Sequence, residues 1–266
     1  MEEVSLSKED VGAVAVESQD LQEEPSVEPE TESGTPELAI RSLGSDDEST
    51  QRSSAYDHLP NFAGKKKARI LVVGASSCGK TTMLKNLVLR PEFGVSSWFG
   101  EGKQAEIFII SETLHMSGDW LDLGLPEEHL LDHWDATRIR QMMQYSKKTK
   151  TGTLWILDDM INSSDAVSMS RSSLLNRLYM QGRHWKISIV LVSQKYTYIP
   201  SAIRINASHL CMYGANSKEQ KTLFDEIANV DDLPRKYSEA VSNPYGFLYL
   251  ELTSGRTFQC FERELL

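Results

Sequence analysis

The segment that most constrains the fold is residues 74–81, which read Gly-Ala-Ser-Ser-Cys-Gly-Lys-Thr. This segment satisfies the pattern G-x-x-x-x-G-K-[ST] at every defined position. An apolar run typical of a β-strand precedes it at residues 68–73, and a helix-forming run follows at residues 81–90. The order of strand, turn and helix predicts a P-loop (Walker A), in which backbone amides at a helix N-terminus surround a phosphate chain. The alternative is a glycine turn that matches by chance, which the flanking strand and helix disfavour.

Two side chains of the predicted P-loop have specific expected roles. Lys80 is expected to reach the β- and γ-phosphates of a nucleotide, and Thr81 to place its hydroxyl on Mg²⁺. The chain lacks the N-K-x-D tetrapeptide that reads guanine, so ATP with Mg²⁺ is the expected ligand. The predicted phosphate-binding set is Gly74, Ala75, Ser76, Ser77, Cys78, Gly79, Lys80, Thr81 and Thr82.

Charge divides the chain into two parts. Residues 1–57 hold 16 acidic and 3 basic side chains, whereas residues 58–266 hold 22 acidic and 25 basic ones. The first part has no aromatic residue before Tyr56, so it has too little apolar surface to offset the entropy of ordering. We predict a disordered acidic tail over residues 1–57 and one P-loop ATPase domain over residues 58–266. The tail is either a solvated entropic segment or an acidic arm that competes with DNA or docks a partner.

Several classes of protein are excluded by composition. No apolar run approaches the roughly 18 residues that a membrane-spanning helix needs, and the N-terminus lacks the features of a secretory signal. The three cysteines are too few and too scattered for a disulfide framework or a zinc ribbon. We therefore expect an intracellular protein with no membrane span. Its acidic net charge of −10 comes from the tail, so it does not argue against nucleic-acid binding by the domain.

Short apolar runs alternate with helical stretches along the domain. This alternation predicts an α/β fold, with a mostly parallel sheet covered by helices on both faces. The predicted strands span residues 68–73, 105–110, 153–157, 187–192 and 209–213, with a closing hairpin over 247–252 and 257–261. The predicted helices span residues 81–90, 127–147 with a break near Asp135, 164–181 and 218–228.

Two carboxylates follow the third predicted strand. Residues 153–159 read Thr-Leu-Trp-Ile-Leu-Asp-Asp, which is typical of a Walker B motif. Asp158 is expected to hold Mg²⁺, and Asp159 to polarise the attacking water, a task that many P-loop ATPases give to Glu. The alternative is a pair of helix-capping residues. Because this strand is distant in sequence from the P-loop, we expect another strand between the two, which indicates a RecA-like P-loop NTPase of the ASCE type.

Polar residues lie before and after the fourth predicted strand. Gln194 follows this strand and is expected to sense the γ-phosphate or orient the water. Arg183 follows a predicted helix end at Gly182 and is a candidate arginine finger for a neighbouring subunit. The alternative for Arg183 is a surface arginine that complements the helix dipole.

Taken together, these segments resemble a known family. The set GASSCGKT, LWILDD, GRHWKISIVLVSQ and PSAIRINASH is similar to the poxvirus-type genome-packaging ATPases of large eukaryotic DNA viruses, within the FtsK–HerA superfamily. The resemblance covers about residues 67–252, and residues 182–194 are its most specific part. It implies that Arg183 is the arginine finger, that Asp158 and Asp159 form the Walker B pair, and that Gln194 is the sensor.

The family resemblance also implies a biological setting. It implies a homo-oligomeric ring, a hexamer or a pentamer, that drives double-stranded DNA into a preformed capsid in the infected host cell, with a capsid or portal protein as partner and association with the virion. Basic candidates for weak DNA contacts are Lys147, Lys148, Lys150, Arg235 and Lys236, each of which could instead lie on a solvated face. Two alternatives remain open: a cellular or mobile-element DNA translocase, and a P-loop scaffold that binds nucleotide without hydrolysis.

Overall fold

The computed structural model describes residues 58–59, 67–90, 107–149, 152–160 and 173–266. The strands in these ranges are β1 (Arg69–Val73), β2 (Ile107–Ser111), β3 (Leu130–Leu131), β4 (Thr153–Asp158), β5 (Ile187–Ser193), β6 (His209–Tyr213), β7 (Phe247–Glu251), β8 (Arg256–Gln259) and β9 (Arg263–Glu264). The helices are α1 (Lys80–Leu89), α2 (Leu114–Ser117), α3 (Ala136–Lys148), α4 (Leu174–Gln181), α5 (Ser201–Ile205), α6 (Ser217–Glu226) and α7 (Leu233–Ala240).

The described strands form a single sheet with the order β3-β2-β4-β5-β1-β6-β7-β8-β9. The pairs from β3 to β6 are parallel, and the pairs from β6 to β9 are antiparallel. Strand β5 lies between β1 and β4, with Leu191 level with both Leu71 and Leu157. The predicted fold class is confirmed, including the strand inserted between the two motif strands and the antiparallel closing hairpin.

Two apolar cores cover the two faces of the sheet. Along β1, Leu71 and Val73 belong to one core, and Ile70 and Val72 belong to the other. This division follows from the alternation of side chains along a strand. Residues of α3, α4, α6 and α7 pack in the first core, whereas residues of α1 pack in the second. A sheet buried on both faces explains the continuous apolar runs in the sequence.

Short polar side chains fix where three of the helices begin. Asp135 accepts hydrogen bonds from the backbone N–H groups of Thr137 and Arg138 at the start of α3. Ser173 and Asn216 cap α4 and α6 in the same way. Such caps satisfy N–H groups that have no partner inside the helix.

One predicted helix is partly wrong. Residues 127–135 do not form its first half, because Glu127–His129 form a single 3-10 turn and Leu130–Leu131 pair with β2 as a short edge strand. Pairing with β2 places the Leu131 side chain in the core. This tertiary contact overrides the helical propensity of the segment. Only α3 after Asp135 is helical, as the expected break suggested. Residues 164–172 of the predicted helix 164–181 and the predicted tail over residues 1–57 lie outside the described residues, and the domain boundaries stay a prediction.

None of the helices in the described ranges has both the length and the apolar character needed to cross a membrane.

His209, at the start of β6, is expected to make the stability of the fold depend on pH. Burial lowers its pKa to about 4, although the charge of Glu251 partly opposes this shift. The unfolded chain takes up a proton near pH 6.5 and the folded chain only near pH 4, so stability is lost as the pH falls through this window. The expected loss is about 2–3 kcal/mol in the free energy of unfolding.

Urea unfolding at pH 7 and pH 4.5 measures the contribution of His209. The substitution His209→Gln should reduce the difference between the two pH values, whereas His115→Gln, at an exposed histidine, should leave it unchanged. An equal pH dependence in the wild type and His209→Gln would contradict the assignment.

Candidate nucleotide-binding site

The P-loop connects β1 to α1 in a conformation that requires its glycines. A Cβ atom added at Gly74 would lie 2.6 Å from both the Sγ of Cys78 and the Cβ of Tyr213. Gly79 has a φ of 93°, in the left-handed region that favours glycine. The N–H of Gly74 donates to the backbone oxygen of Ser193 at 3.1 Å, which ties the loop to the end of β5. Loop and sheet edge are therefore one packed unit.

The N-terminus of α1 has the character of an anion site. No side chain caps it, so its first amides are free of a side-chain acceptor and the helix dipole adds positive potential. The ammonium of Lys80 lies within the loop and donates to the backbone oxygens of Gly74 and Ala75 at 2.9 and 2.8 Å. Lys80 is also buried. The residues from Ala75 to Thr82 lie in this loop and the first turn of α1, as the sequence predicts.

Asp158 lies at the end of β4, on the edge of the sheet that holds the P-loop. Its carboxylate is buried, and this burial raises its pKa above the ordinary value for an aspartate. The indole N–H of Trp120 donates to Oδ2 of Asp158 at 2.9 Å, which opposes the rise. Trp120 is fully buried and lies in the connection after β2, so it fixes the orientation of the carboxylate.

Sequence reasoning missed Trp120. Its distance from Asp158 along the chain is 38 residues, and a tryptophan in a connection is more often a core residue than a partner of a carboxylate. The available signal in the sequence was its position after the predicted strand at residues 105–110.

Asp159 and Gln194 meet at the same edge. The side-chain amide of Gln194 donates to Oδ2 of Asp159 at 3.2 Å, although the two residues are 35 positions apart in sequence. Asp159 has a φ of 52°, in the left-handed region, so the chain turns sharply after β4. Because of this turn, the two adjacent carboxylates point in different directions. Asp158 is bonded to Trp120, and Asp159 is bonded to Gln194.

The donor set fits a magnesium ion that is shared with phosphate. Thr81 offers a hydroxyl in the first turn of α1, and Asp158 offers a carboxylate at the end of β4. Mg²⁺ prefers oxygen ligands and usually takes one or two carboxylates together with substrate phosphates. Within the described ranges, no group of three or more His, Cys, Asp or Glu side chains could hold a metal by itself. Asp158 and Thr81 therefore suit an ion whose remaining ligands come from the substrate and water.

Arg183 is not brought together with the other predicted site residues. It lies in the turn Gly182–Trp185 that precedes β5, whereas Gln194 follows β5. The length of β5, roughly 20 Å, separates them. Arg183 is exposed, and its Nε contacts Nε2 of His184 at 3.4 Å. Its guanidinium lies at the edge of the sheet opposite to its own P-loop.

The basic candidates for DNA contact differ in their surroundings. Lys147 and Lys148 end α3, and the ammonium of Lys147 lies 4.8 Å from the ring centre of Trp185. Arg235 pairs with Asp232 and Glu239, so its charge is largely compensated. Lys150 lies outside the described residues. Lys147 and Lys148 are exposed, whereas Lys236 is half-buried, so Lys147 and Lys148 are the more available cations.

Comparison with known proteins matches part of the chain to a viral family. Residues 128–232 match the Poxvirus A32 protein family, a stretch that contains β4, Arg183 and Gln194. Protein 088R of Invertebrate iridescent virus 3 is 23% identical over 205 residues, covering 72% of this chain and 70% of that protein. Protein 075L of Invertebrate iridescent virus 6 is 25% identical over 201 residues, covering 72% and 73%.

Solved structures share the fold. The genome packaging NTPase B204 from Sulfolobus turreted icosahedral virus 2, in complex with AMPPCP, has a TM-score of 0.52 and 16% identity, over 73% of this chain and 96% of that chain. B204 of Sulfolobus turreted icosahedral virus, described as its DNA-packaging ATPase, has a TM-score of 0.51 and 14% identity over the same shares. The predicted resemblance to the poxvirus-type ATPases is confirmed, and this chain has the fold of a P-loop NTPase.

Proposed function

We propose that this protein is an ATP-hydrolysing motor that moves double-stranded DNA into a preformed viral capsid. The observation that carries the proposal is the meeting of the P-loop with Asp158, Asp159 and Gln194 at one edge of the sheet. The match of residues 128–232 to the Poxvirus A32 protein family supports a viral packaging role. The description of B204 as a DNA-packaging ATPase supports the same activity in this chain.

Each side chain has a task in the proposed hydrolysis. Asp159 orients a water molecule toward the γ-phosphorus and accepts its proton, while Gln194 holds the Asp159 carboxylate in place. Lys80 and the amides of the P-loop stabilise the charge on the phosphate oxygens as the bond to ADP breaks. Thr81 and Asp158 would hold Mg²⁺, which would supply positive charge that offsets the negative charge of the phosphates.

The proposed motor is a homo-oligomeric ring, a hexamer or a pentamer, in which Arg183 acts between subunits. Arg183 is exposed at the edge of the sheet opposite to its own P-loop, so a role at a nucleotide requires a neighbouring subunit. Closure of the interface would then place its guanidinium on the neighbour's γ-phosphate, where such residues stabilise the transition state. The proposed DNA contacts are weak phosphate contacts from Lys147 and Lys148. They are weak because a motor must release the DNA after each step.

The viral relatives support action in the infected host cell, at the site of virion assembly. A capsid or portal protein is the proposed docking partner, and association with the virion would follow from that docking.

Steady-state ATP hydrolysis, with and without linear double-stranded DNA, tests the proposed function. The wild type should turn over ATP faster with DNA, and Lys80→Ala should abolish turnover in both conditions. Lys221→Ala, at an exposed lysine on α6, serves as the matched control and should behave as wild type. ATP binding without turnover under either condition would instead support a nucleotide-binding scaffold. ATP turnover that is the same with and without DNA would support an ATPase that does not act on DNA.

A further inference from the structure

Tyr245 is a large aromatic residue that lies against the P-loop and is nevertheless exposed. A Cβ atom added at Gly79 would lie 3.3 Å from Cδ1 of Tyr245, so the tyrosine side chain covers this glycine directly. Tyr245 is 65% exposed. Burial in the core therefore does not explain its position, although one edge of the side chain rests on the loop that precedes α1.

The backbone of Tyr245 is held in a conformation that a tyrosine rarely adopts. Its φ is 61°, in the left-handed region. The N–H of Gly246 donates to the backbone oxygen of Asn243 at 2.9 Å, which closes a turn with Pro244 and Tyr245 as its central residues. Proline followed by a residue with positive φ is typical of a type II turn, whose third position usually holds glycine or asparagine.

The turn has little freedom to relax this strain. A Cβ atom at Gly246 would lie 2.6 Å from the backbone oxygen of Ala240 and 2.9 Å from that of Asn243. The close packing of Gly246 fixes the turn against the end of α7. A strained backbone that persists in a packed turn often belongs to a functional site.

The strand order gives the direction in which a bound nucleotide must extend. Asp158, Asp159 and Gln194 follow β4 and β5, on one side of β1, so the γ-phosphate belongs on that side. The nucleoside must then leave the P-loop on the other side, where β6 and β7 lie. Tyr245 lies two residues before β7, and β7 is about two strand spacings, or 10 Å, from β1. Its exposed side chain therefore borders the space in which the base of the nucleotide would lie.

We propose that Tyr245 is the base-binding residue of the site, and that its ring stacks on the purine of the bound nucleotide. This inference rests on the proposed function, because it requires that the P-loop binds a nucleoside triphosphate. Stacking on an aromatic side chain is tolerant of base identity, since every base has a π face. Tyr245 therefore contributes to affinity for the nucleoside and leaves the contacts to the triphosphate unchanged.

Calorimetric binding of MgATP and of magnesium tripolyphosphate, which lacks base and ribose, tests this assignment. Tyr245→Gly and Tyr245→Ala should each weaken ATP binding about tenfold and leave tripolyphosphate binding unchanged. Tyr245→Phe retains the ring and should bind both ligands as the wild type does. Tyr245→Gly also removes the strain at positive φ, so its melting temperature should not fall and is expected to rise. Loss of affinity in a more stable variant is a signature that a structural role would not produce.

Unchanged ATP affinity in Tyr245→Gly and Tyr245→Ala would overturn the assignment. A parallel loss of ATP and tripolyphosphate binding would overturn it as well, because Tyr245 would then support the P-loop rather than the base. The readout is binding, so the result stands even for a chain that does not hydrolyse ATP. A wild type that binds neither ligand would overturn both this inference and the proposed function.

Discussion

Replacing Arg183 with alanine is expected to lower ATP turnover by about 10³-fold or more while ATP binding stays close to wild type. The magnitude follows from the role proposed for this side chain, which is to offset charge that develops on the γ-phosphate in the transition state. Arg183 lies before β5, whereas Gln194 lies after it, so the proposed role requires a neighbouring subunit's site. Steady-state turnover and nucleotide affinity of Arg183→Ala measure the two quantities separately.

Mixed assemblies show whether Arg183 acts between subunits. Arg183→Ala supplies an intact P-loop and Lys80→Ala supplies an intact arginine, so mixing the two inactive variants should restore part of the turnover. The matched control is Arg177→Ala, an exposed arginine on α4, which should remain active alone. Absence of any rescue across mixing ratios would contradict action in a neighbouring site.

Replacing Asp159 with asparagine is expected to lower turnover by about 10²- to 10⁴-fold and to spare ATP binding. Asparagine has nearly the shape of aspartate and can still accept the hydrogen bond from Gln194, but it does not take a proton from water. The side chain is only partly buried, so the substitution leaves the core unchanged. Turnover under saturating ATP, together with ATP affinity, is the measurement.

Two further variants make the Asp159 result decisive. Asp225→Asn, at an exposed carboxylate on α6, controls for the loss of one negative charge and should behave as wild type. Asp159→Glu keeps a carboxylate with one more methylene and should retain most of the turnover that Asp159→Asn loses. Full turnover in Asp159→Asn would remove this residue from the proposed chemistry.

The sequence predicted the parts of the fold that local pattern dictates. The P-loop at residues 74–81 and the strand that ends at Asp158 follow from short segments whose periodicity and polar ends are visible in the chain. Leu130–Leu131 was missed because pairing with β2 decides its structure, and this pairing is a tertiary contact.

The candidate site was predictable only in part for the same reason. Asp158 and Gln194 follow apolar runs, so they could be placed at strand ends. Trp120 and Tyr245 could not be assigned, because each meets its partner across a long stretch of chain. Their contacts with Asp158 and Gly79 depend on how connections fold over the sheet edge, which no local pattern encodes.

Strand β5 has a mechanical consequence for the proposed ring. It is hydrogen-bonded on both sides, to β1 and to β4. This pairing restricts bending of the strand. One end of this strand leads to Gln194, and the other begins beside Arg183, the residue proposed to reach the neighbour's nucleotide. In the proposed ring, this strand would couple a shift at one nucleotide site to the next site, so that hydrolysis would proceed in order around the ring.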